Sequence, residues 1–274
     1  MDFKKLLTRT LSGLIYCLLI VGAILWGGTG VLLLGIALSV MACTEFATMS
    51  RDLSPRTLPV LILDIAGCVF LCLGYLLYPL IIWLAILIMR SVEELYINSS
   101  HPLRDMAHSF MSQLYIGLPL GIMVAIAWLL NPMMLMALFF FLWINDTGAF
   151  LVGSLLGRHK LFERISPKKT WEGFFGGLVF CLGASVLFWK FGNDFFGMDY
   201  FSAGAGIWLG FAAVVSIFGT WGDLVESMIK RNLNVKDSGR LIPGHGGILD
   251  RIDSLLLALP AVAVYFALII YVQM

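Results

Sequence analysis

Apolar runs dominate the chain and fall into nine blocks, at 11–27, 30–49, 58–77, 79–90, 109–130, 132–153, 172–191, 203–220 and 252–272. Most of them approach the roughly 20 residues that carry a helix across about 30 Å of hydrocarbon. Turn signals separate the blocks: Gly27-Gly28-Thr29-Gly30, Ser54-Pro55, Tyr78-Pro79 and Asn131-Pro132. The stretch 58–90 is harder to parse. As one helix it would run about 50 Å at 1.5 Å per residue, too long for one span and short for two, and Pro79 marks a break in it. The pattern predicts an all-α, polytopic membrane fold of nine transmembrane helices, with eight as the alternative. No fixed-period repeat and no low-complexity stretch interrupts it. Residues 1–274 therefore read as a single membrane domain, with lipid-facing, supporting helices in 1–130 and the polar motifs in 131–274.

Composition sharpens this picture. Of the 274 residues, 60% are hydrophobic and only 13% charged, and the mean hydropathy is +0.93. A soluble domain averages about 45–50% apolar and about 25% charged, and a fold of this length has too little interior to hide the excess. Lipid is the natural solvent for it. The net charge of +1, without a basic tail or aromatic-basic interleaving, gives no nucleic-acid footprint. Cys17, Cys43, Cys68, Cys72 and Cys181 all lie in apolar runs without metal-ligand spacing, and they read as small buried hydrophobes rather than disulfide partners. Lys4, Lys5 and Arg9 before the first apolar run look like the start of a signal peptide. No small-residue cleavage site follows, so that run is expected to be a retained first helix.

Lysine and arginine in the loops set the orientation. If 58–90 is a helical hairpin, one face collects Lys4, Lys5 and Arg9, then Arg51 and Arg56, then Arg90 and Arg104. The same face collects Arg158, Lys160, Arg164, Lys168 and Lys169, and then Lys230, Arg231, Lys236 and Arg240. The opposite face receives short turns and the 192–202 loop with Asp194 and Asp199. The basic face, with the N-terminus, is expected in the cytoplasm of a bacterial-type inner (plasma) membrane.

Three polar groups gather on that face. The first is Trp143-Ile144-Asn145-Asp146-Thr147-Gly148, at the end of a span. A carboxylate at the bilayer centre costs roughly 2.5–3.5 kcal/mol on insertion scales and less near the ends, so Asp146 is read as facing the bundle interior rather than snorkelling. Gly153 and Gly157, four apart, would let another backbone or a ligand come close. The second group is Ser166-Pro167-Lys168-Lys169-Thr170-Trp171-Glu172-Gly173. Ser-Pro reads as a turn into a helix start, where two ammonium groups, a hydroxyl and free N–H groups make an anion site. Taken alone, the segment reads equally well as a basic loop with a helix cap.

The third group is the densest. It runs Gly222-Asp223 through Glu226-Ser227 and Lys230-Arg231, then Lys236-Asp237, then Gly244-His245-Gly246-Gly247 and Asp250-Arg251-Ile252-Asp253. Along this run Asp223, Ser227, Lys230 and Arg231 recur at spacings of three, four or seven and share one side of a helix. Asp250 and Asp253 are one turn apart. Carboxylates without a thiol or imidazole cluster are hard oxygen donors and suit Mg²⁺ better than Zn²⁺. Neighbouring cations suit phosphate, and the glycines allow close backbone approach. His245, a lone histidine, reads equally as structural or as touching substrate. Together these groups describe a Mg²⁺-dependent phosphoryl or nucleotidyl transfer site at a membrane surface. The residues alone do not reach the substrates.

At these residues the chain resembles the phosphatidate cytidylyltransferase (CDP-diacylglycerol synthase) family. Ser227-x-x-Lys230-Arg231, Lys236-Asp237 and Pro243-x-His245-Gly246-Gly247-x-x-Asp250-Arg251-x-Asp253 fit that family's signature along its whole length. Ser166-Pro167-Lys168-Lys169-Thr170-x-Glu172-Gly173 and Trp143-x-x-Asp146 match two further motifs of the family. The resemblance implies a reaction of CTP with phosphatidate giving CDP-diacylglycerol and pyrophosphate, in phospholipid biosynthesis. It implies that Asp223 and Asp250 hold a divalent metal, Mg²⁺ or another, with Asp146 and Asp253 as second choices. Lys168, Lys169, Lys230 and Arg231 would bind the CTP phosphates or the lipid headgroup. Ser227, Lys236, Asp237 and His245 would complete the polar pocket, and Ser166, Thr170, Glu172, Gly246, Gly247 and Arg251 would also contact substrate. The expected partners are CTP, phosphatidate in the bilayer and the membrane itself, with a homodimer left open.

Two other readings stand beside this one. A related enzyme would use CTP to activate a different lipid phosphate. A secondary transporter also carries intramembrane charges and glycine-broken helices, but its site lies near the midplane and often comes with inverted repeats.

Overall fold

A computed structural model of the chain describes residues 3–54, 56–196, 204–239 and 246–273. The described elements are α1 (Phe3–Leu25), α2 (Gly28–Met49), α3 (Leu58–Cys72), α4 (Leu77–Glu93), α5 (Pro102–Met111), α6 (Leu118–Leu129), α7 (Pro132–Leu156), β1 (Lys160–Phe162), β2 (Ser166–Thr170), α8 (Trp171–Phe191), α9 (Asn193–Phe196), α10 (Ala205–Asn232) and α11 (Leu249–Gln273). A π-helical segment, Ser112–Gly117, joins α5 to α6, so that 102–129 is one continuous helix.

Each apolar block has its helix. Six helices among the described residues are long and apolar enough to cross a membrane: Gly28–Met49, Pro102–Leu129, Pro132–Leu156, Trp171–Phe191, Ala205–Asn232 and Leu249–Gln273. Thr10–Leu25 and Leu58–Cys72 are shorter apolar helices. The 58–90 stretch is broken, but at 73–76 rather than at the proline. Pro79 sits in the first turn of α4, where a missing N–H is no loss because that turn has no intrahelical acceptor for it. Asn131 caps α7 as its Asn-Pro signal predicts, its side chain accepting from Met133 N at 2.8 Å with Pro132 at the first helical position.

The fold is all-α as expected, with one short hairpin among its helices. β1 and β2 form an antiparallel hairpin, with Lys160 opposite Thr170 and Phe162 opposite Ser166 and an irregular register between them. Ser166-Pro167 is therefore part of a strand that leads into α8, not a bare turn.

The chain divides into two compact units, Met1–Leu129 with Asn232–Ile252 and Leu130–Arg231 with Asp253–Met274. In the first unit, α2, α3 and α6 approach closely through small residues. A Cβ on Gly121 would lie 2.5 Å from the Leu71 carbonyl, and one on Gly117 would lie 2.9 Å from the Cys68 Cα. This is how helices pack where lipid supplies no hydrophobic drive between them. Val31, Leu38, Phe46, Leu120 and Met123 are buried there, while Leu14, Leu18, Leu19 and Leu25 of α1 are exposed apolar residues, as lipid contact requires.

That unit also buries charge. Arg56, just before α3, points Nη1 at Asp64 at 3.1 Å and donates through Nη2 to the His108 carbonyl at 3.0 Å. The Ser109 hydroxyl donates to Asp64 and accepts from Arg90 Nε at 2.9 Å. Arg90 Nη2 donates to Glu94 Oε2 at 2.6 Å. Gln113, in the π-helical segment, accepts from Trp83 Nε1 at 3.0 Å and donates toward Asp64 at 3.5 Å. Arg56 and Arg90, which the sequence places among the face-marking loop charges, are thus buried with carboxylate partners.

The core of the second unit is aromatic. Phe141 packs on Phe188 and Phe211 at centroid distances of 5.1 and 5.4 Å, and Phe211 continues to Phe266 at 5.1 Å. Trp208 stands edge-on to Phe188 at 5.8 Å. α7 and α8 pack through glycine: a Cβ on Gly148 would lie 2.8 Å from Phe180, and one on Gly176 would lie 2.4 Å from Val152.

Asp64→Ala should destabilise the first unit, because it leaves Arg56 buried without its carboxylate. Removing one partner of a buried pair costs about 3–5 kcal/mol. A clearly lower melting temperature in detergent is expected for Asp64→Ala, with a smaller loss for Asp64→Asn, whose amide oxygen still accepts from Ser109. Equal melting of all three proteins would remove the pair from the stability argument.

Candidate active site

The second unit holds a cavity of about 370 Å³. α7 contributes Asn145, Asp146, Ala149, Phe150, Gly153 and Ser154 to its lining. The hairpin contributes Leu161 and the run Lys168-Lys169-Thr170, α8 contributes Gly173 and Phe174, and α10 contributes Thr220 and Asp223. Asn145 and Asp146 of the first polar group, Lys168, Lys169, Thr170 and Gly173 of the second, and the first carboxylate of the third therefore line one space. Its size lies within the range of about 300–1,000 Å³ common for small-molecule sites.

Local rules explain the placement. Thr170 ends β2 and caps α8, its hydroxyl accepting the Gly173 N–H at 3.1 Å. This puts Lys168 and Lys169 on the strand that approaches the positive end of a helix, where anions are favoured. Gly153 lets the start of α8 come close, since a Cβ there would lie 3.2 Å from Thr170 Oγ1 and 3.4 Å from the Gly173 Cα. Here the glycine pair of the sequence admits a backbone. Asn145 is buried and ties α7 to α10: it accepts from Ser216 Oγ at 2.6 Å and donates to Thr220 Oγ1 at 3.2 Å. Its neighbour Asp146 is exposed toward the cavity.

The electrostatic centre of the cavity is an ion pair. Lys169 Nζ lies 2.6 Å from Asp223 Oδ2 and 3.4 Å from the Thr220 carbonyl. Asp223 Oδ1 accepts from the Ser227 hydroxyl at 3.3 Å, so those two residues do share a helix face. Asp253 is within electrostatic reach of Asp223, Glu226 and Lys169. Gly222 makes the approach possible, because a Cβ there would lie 2.6 Å from the Asp253 carbonyl. Further along α10, Lys230 is buried against Glu226, with Nζ 3.2 Å from Oε1, whereas Arg231 is exposed. Among the described residues, no three His, Cys, Asp or Glu side chains converge to form a metal cage by themselves.

Not every expected substrate contact lies in this cavity. Glu172 turns its carboxylate to the preceding loop, accepting from the backbone of Arg158 at 3.1 Å and of His159 at 3.2 Å and meeting His159 Nδ1 at 2.5 Å. Ser166 is half-buried at the start of β2. In the first unit, Lys236 and Asp237 are exposed, and Gly246 adopts φ 81°, a left-handed conformation that favours glycine. Asp250 Oδ2 accepts from Ser238 N and Gly247 N, both at 2.9 Å. Arg251 is exposed, and its carbonyl accepts from the Tyr16 hydroxyl at 2.9 Å. His245 lies outside the described residues.

The sequence reading missed Glu45 and Ser238 as polar residues of consequence, and it named Asn145 in the first polar group without giving it a role. A signal existed for the first: Glu45 is an isolated carboxylate in an apolar run, and ionisable groups inside a span are seldom idle.

Comparison with known proteins agrees with these observations. A profile of the cytidylyltransferase family matches residues 7–269. A phosphatidate cytidylyltransferase of Staphylococcus haemolyticus is 34% identical over 268 residues, covering 92% of this chain and 95% of the relative. One from Staphylococcus aureus is 34% identical over 262 residues, with the same coverage of 92% and 95%. One from Staphylococcus epidermidis is 48% identical over a shorter stretch of 124 residues, 44% of each chain.

The Glu172 geometry predicts a proteolytic phenotype. Glu172→Ala removes the acceptor that holds the Arg158–His159 backbone, so trypsin should cleave after Arg158 and Lys160 severalfold faster than in the wild-type protein. An unchanged cleavage rate would show that the loop is held by other contacts.

Proposed function

The chain belongs to the cytidylyltransferase family, and on that premise we propose that it transfers the cytidylyl group of CTP to phosphatidate, releasing pyrophosphate and leaving CDP-diacylglycerol in the bilayer. The observation that carries this reading is the Lys169–Asp223 pair, set in a cavity lined by the motif residues of α7, β2, α8 and α10. In the reaction, a phosphate oxygen of phosphatidate attacks the α-phosphorus of CTP. A new P–O bond forms, the bond to the β-phosphate bridging oxygen breaks, and that oxygen leaves with pyrophosphate. The nucleophile is already an anion, so the protein's task is alignment and charge neutralisation rather than proton abstraction.

A divalent cation fits the donor set. Mg²⁺ is commonly held by one or two carboxylates together with substrate phosphates and retained waters. Asp223, with Asp253 in electrostatic reach, offers hard oxygen donors of that kind. Asp250 is proposed as a ligand on its sequence motif. When bound, such a cation supplies positive charge to the phosphates of CTP. Asp223 would hold such a cation, and Lys169, now paired with Asp223, would be placed to reach a phosphate oxygen. Lys168, exposed on the same strand, adds a second cation toward the anionic headgroup or triphosphate. Asn145 keeps α7 and α10 in register, so that Asp146 and Asp223 face the cavity from their two helices. Phe150, Phe174 and Leu161 give the same space an apolar side, suited to the glycerol and acyl part of the lipid.

The topology that serves this chemistry is nine spans with the N-terminus and the site on the cytoplasmic side of the plasma membrane. Basic residues at 158–169 and 230–236 support that orientation. CTP then arrives from water and phosphatidate from the leaflet.

Purified protein with CTP, phosphatidate and Mg²⁺ should release pyrophosphate only when all three are present. No release with phosphatidate, but release with another lipid phosphate, would reassign the acceptor. No CTP turnover with any lipid would leave a transporter. Asp223→Asn should insert normally and lose kcat on the order of a hundredfold or more, the several kcal/mol attributed to metal charge stabilisation. Lys169→Ala should lower kcat/KM about ten- to hundredfold. Near-normal turnover in Asp223→Asn would remove the metal assignment.

A further inference from the structure

Glu45 stands in α2, seven per cent exposed, in a stretch that is otherwise largely apolar. Its partners lie about two hundred residues away in sequence. Oε1 accepts the Ile248 N–H at 2.9 Å, and Oε2 accepts the Leu249 N–H at 3.0 Å and the Ser238 hydroxyl at 3.1 Å. The two amides open α11, where N–H groups have no acceptor within the helix and the dipole favours negative charge. Asp250, one residue into that helix, turns back and accepts from Ser238 N and Gly247 N. The Ser238 hydroxyl sits between the two carboxylates, 3.0 Å from Asp250 Oδ2. It has one proton to give, so it serves one carboxylate at a time, and its oxygen accepts the Asp250 N–H at 3.3 Å.

Four backbone amides of the segment, those of Ser238, Gly247, Ile248 and Leu249, are thus met by two carboxylates, and one of those comes from a distant helix. The fit is tight enough to dictate residue size. A Cβ on Gly239 would lie 2.5 Å from Glu45 Oε1, and one on Gly247 would collide with the Ser238 hydroxyl and with Glu45 Oε2. At the second glycine of the His-Gly-Gly motif, Ser238 and the Glu45 carboxylate together occupy the place of a side chain.

We infer that Glu45 is a positioning residue for the reaction: without touching substrate, it fixes Ser238 and the run 246–250 so that Gly246, Gly247 and Asp250 are presented in one arrangement. The inference rests on the proposed cytidylyl transfer. A carboxylate with two oxygens in this place can take three donors, and the amide of glutamine cannot, because its nitrogen would face an N–H. A plain structural role for Glu45 would lower stability throughout the first unit. A positioning role acts locally on the segment and on turnover.

Full-length Glu45→Gln protein in detergent tests this by two readouts. Hydrogen–deuterium exchange without metal or nucleotide should rise about tenfold or more at Ile248 and Leu249, as expected for a lost hydrogen bond, with the remainder of α2 and α3 unchanged. Pyrophosphate release should show kcat lowered about ten- to hundredfold, the usual effect of removing an outer partner, with KM for CTP within about twofold of wild type. Faster exchange with wild-type kcat would overturn the inference, and so would a kcat loss with unchanged exchange at these two amides. If Glu45→Gln does not fold, Ser238→Ala removes only the bridging hydroxyl and should give the same pattern more weakly; wild-type kinetics and exchange in that variant would overturn the inference as well. Wild-type protein without CTP- and phosphatidate-dependent release would instead sink the proposed function, while the exchange data would still report on the clamp.

Discussion

A carboxylate inside an apolar helix bundle has to find its donors within the protein, because hydrocarbon offers none. This chain answers that constraint in three ways. Asp64 meets a guanidinium, a hydroxyl and an amide, all inside the first unit. Glu45 meets backbone N–H groups and a hydroxyl, also inside it. Asp223 meets one ammonium at the edge of a cavity in the second unit. The first two arrangements are closed. Removing an ion from water costs several kcal/mol even after relaxation, so parting these carboxylates from their partners is costly. The third is open, with side chains 26% and 33% exposed. A solvent-screened pair of this kind is worth only about 0–1 kcal/mol. A ligand that brings its own cation and anion can part it at little cost.

The sequence was legible wherever the solvent imposes length. Lipid thickness fixes the number of apolar residues a helix needs, so the blocks at 30–49, 132–153, 172–191 and 252–272 have helices at nearly the same bounds. It was legible again where charge is dense, since Asp146, Lys168, Lys169 and Asp223 do line one space. Hydropathy ends the block at 220, but the helical spacing of Asp223, Ser227 and Lys230 already carries a helix past it, and α10 runs on to Asn232. Legibility failed where a partner is remote. The hairpin 160–170 carries lysines, a serine and a proline, and its pairing comes from tertiary context rather than from β propensity. Glu172 suits a helix dipole by position, and the structure adds what position cannot tell, that its oxygens hold the backbone of Arg158 and His159.

The same distinction between near and far explains why glycines mark the motifs. Gly246 serves a local need, its backbone lying at φ 81°. Gly153, Gly222 and Gly247 serve distant ones, since each yields its side-chain space to another part of the chain: the start of α8, the Asp253 carbonyl and the Glu45 carboxylate. A motif read as a string therefore mixes residues that could meet a ligand with residues that make room for a support.

That mixture bears on how the site should respond to change. In the proposed reaction two anions must be brought together, a lipid phosphate and a triphosphate, and their repulsion has to be offset before attack can occur. Lys168 and Lys169 supply positive charge on a strand whose end is capped by Thr170, so their reach is limited by the strand and not by a mobile loop. Asp223 is held by Ser227 on one oxygen and by Lys169 on the other. Only the second of these bonds joins opposite charges, and only it can be replaced by a cation–phosphate ligand that conserves charge on both sides. A free phosphate alone would take Lys169 and leave Asp223 facing an anion; a free cation alone would take Asp223 and leave Lys169 facing a cation. In the proposed reaction the pair would thus favour the two ligands arriving together, the form in which a nucleoside triphosphate and a divalent cation meet in water.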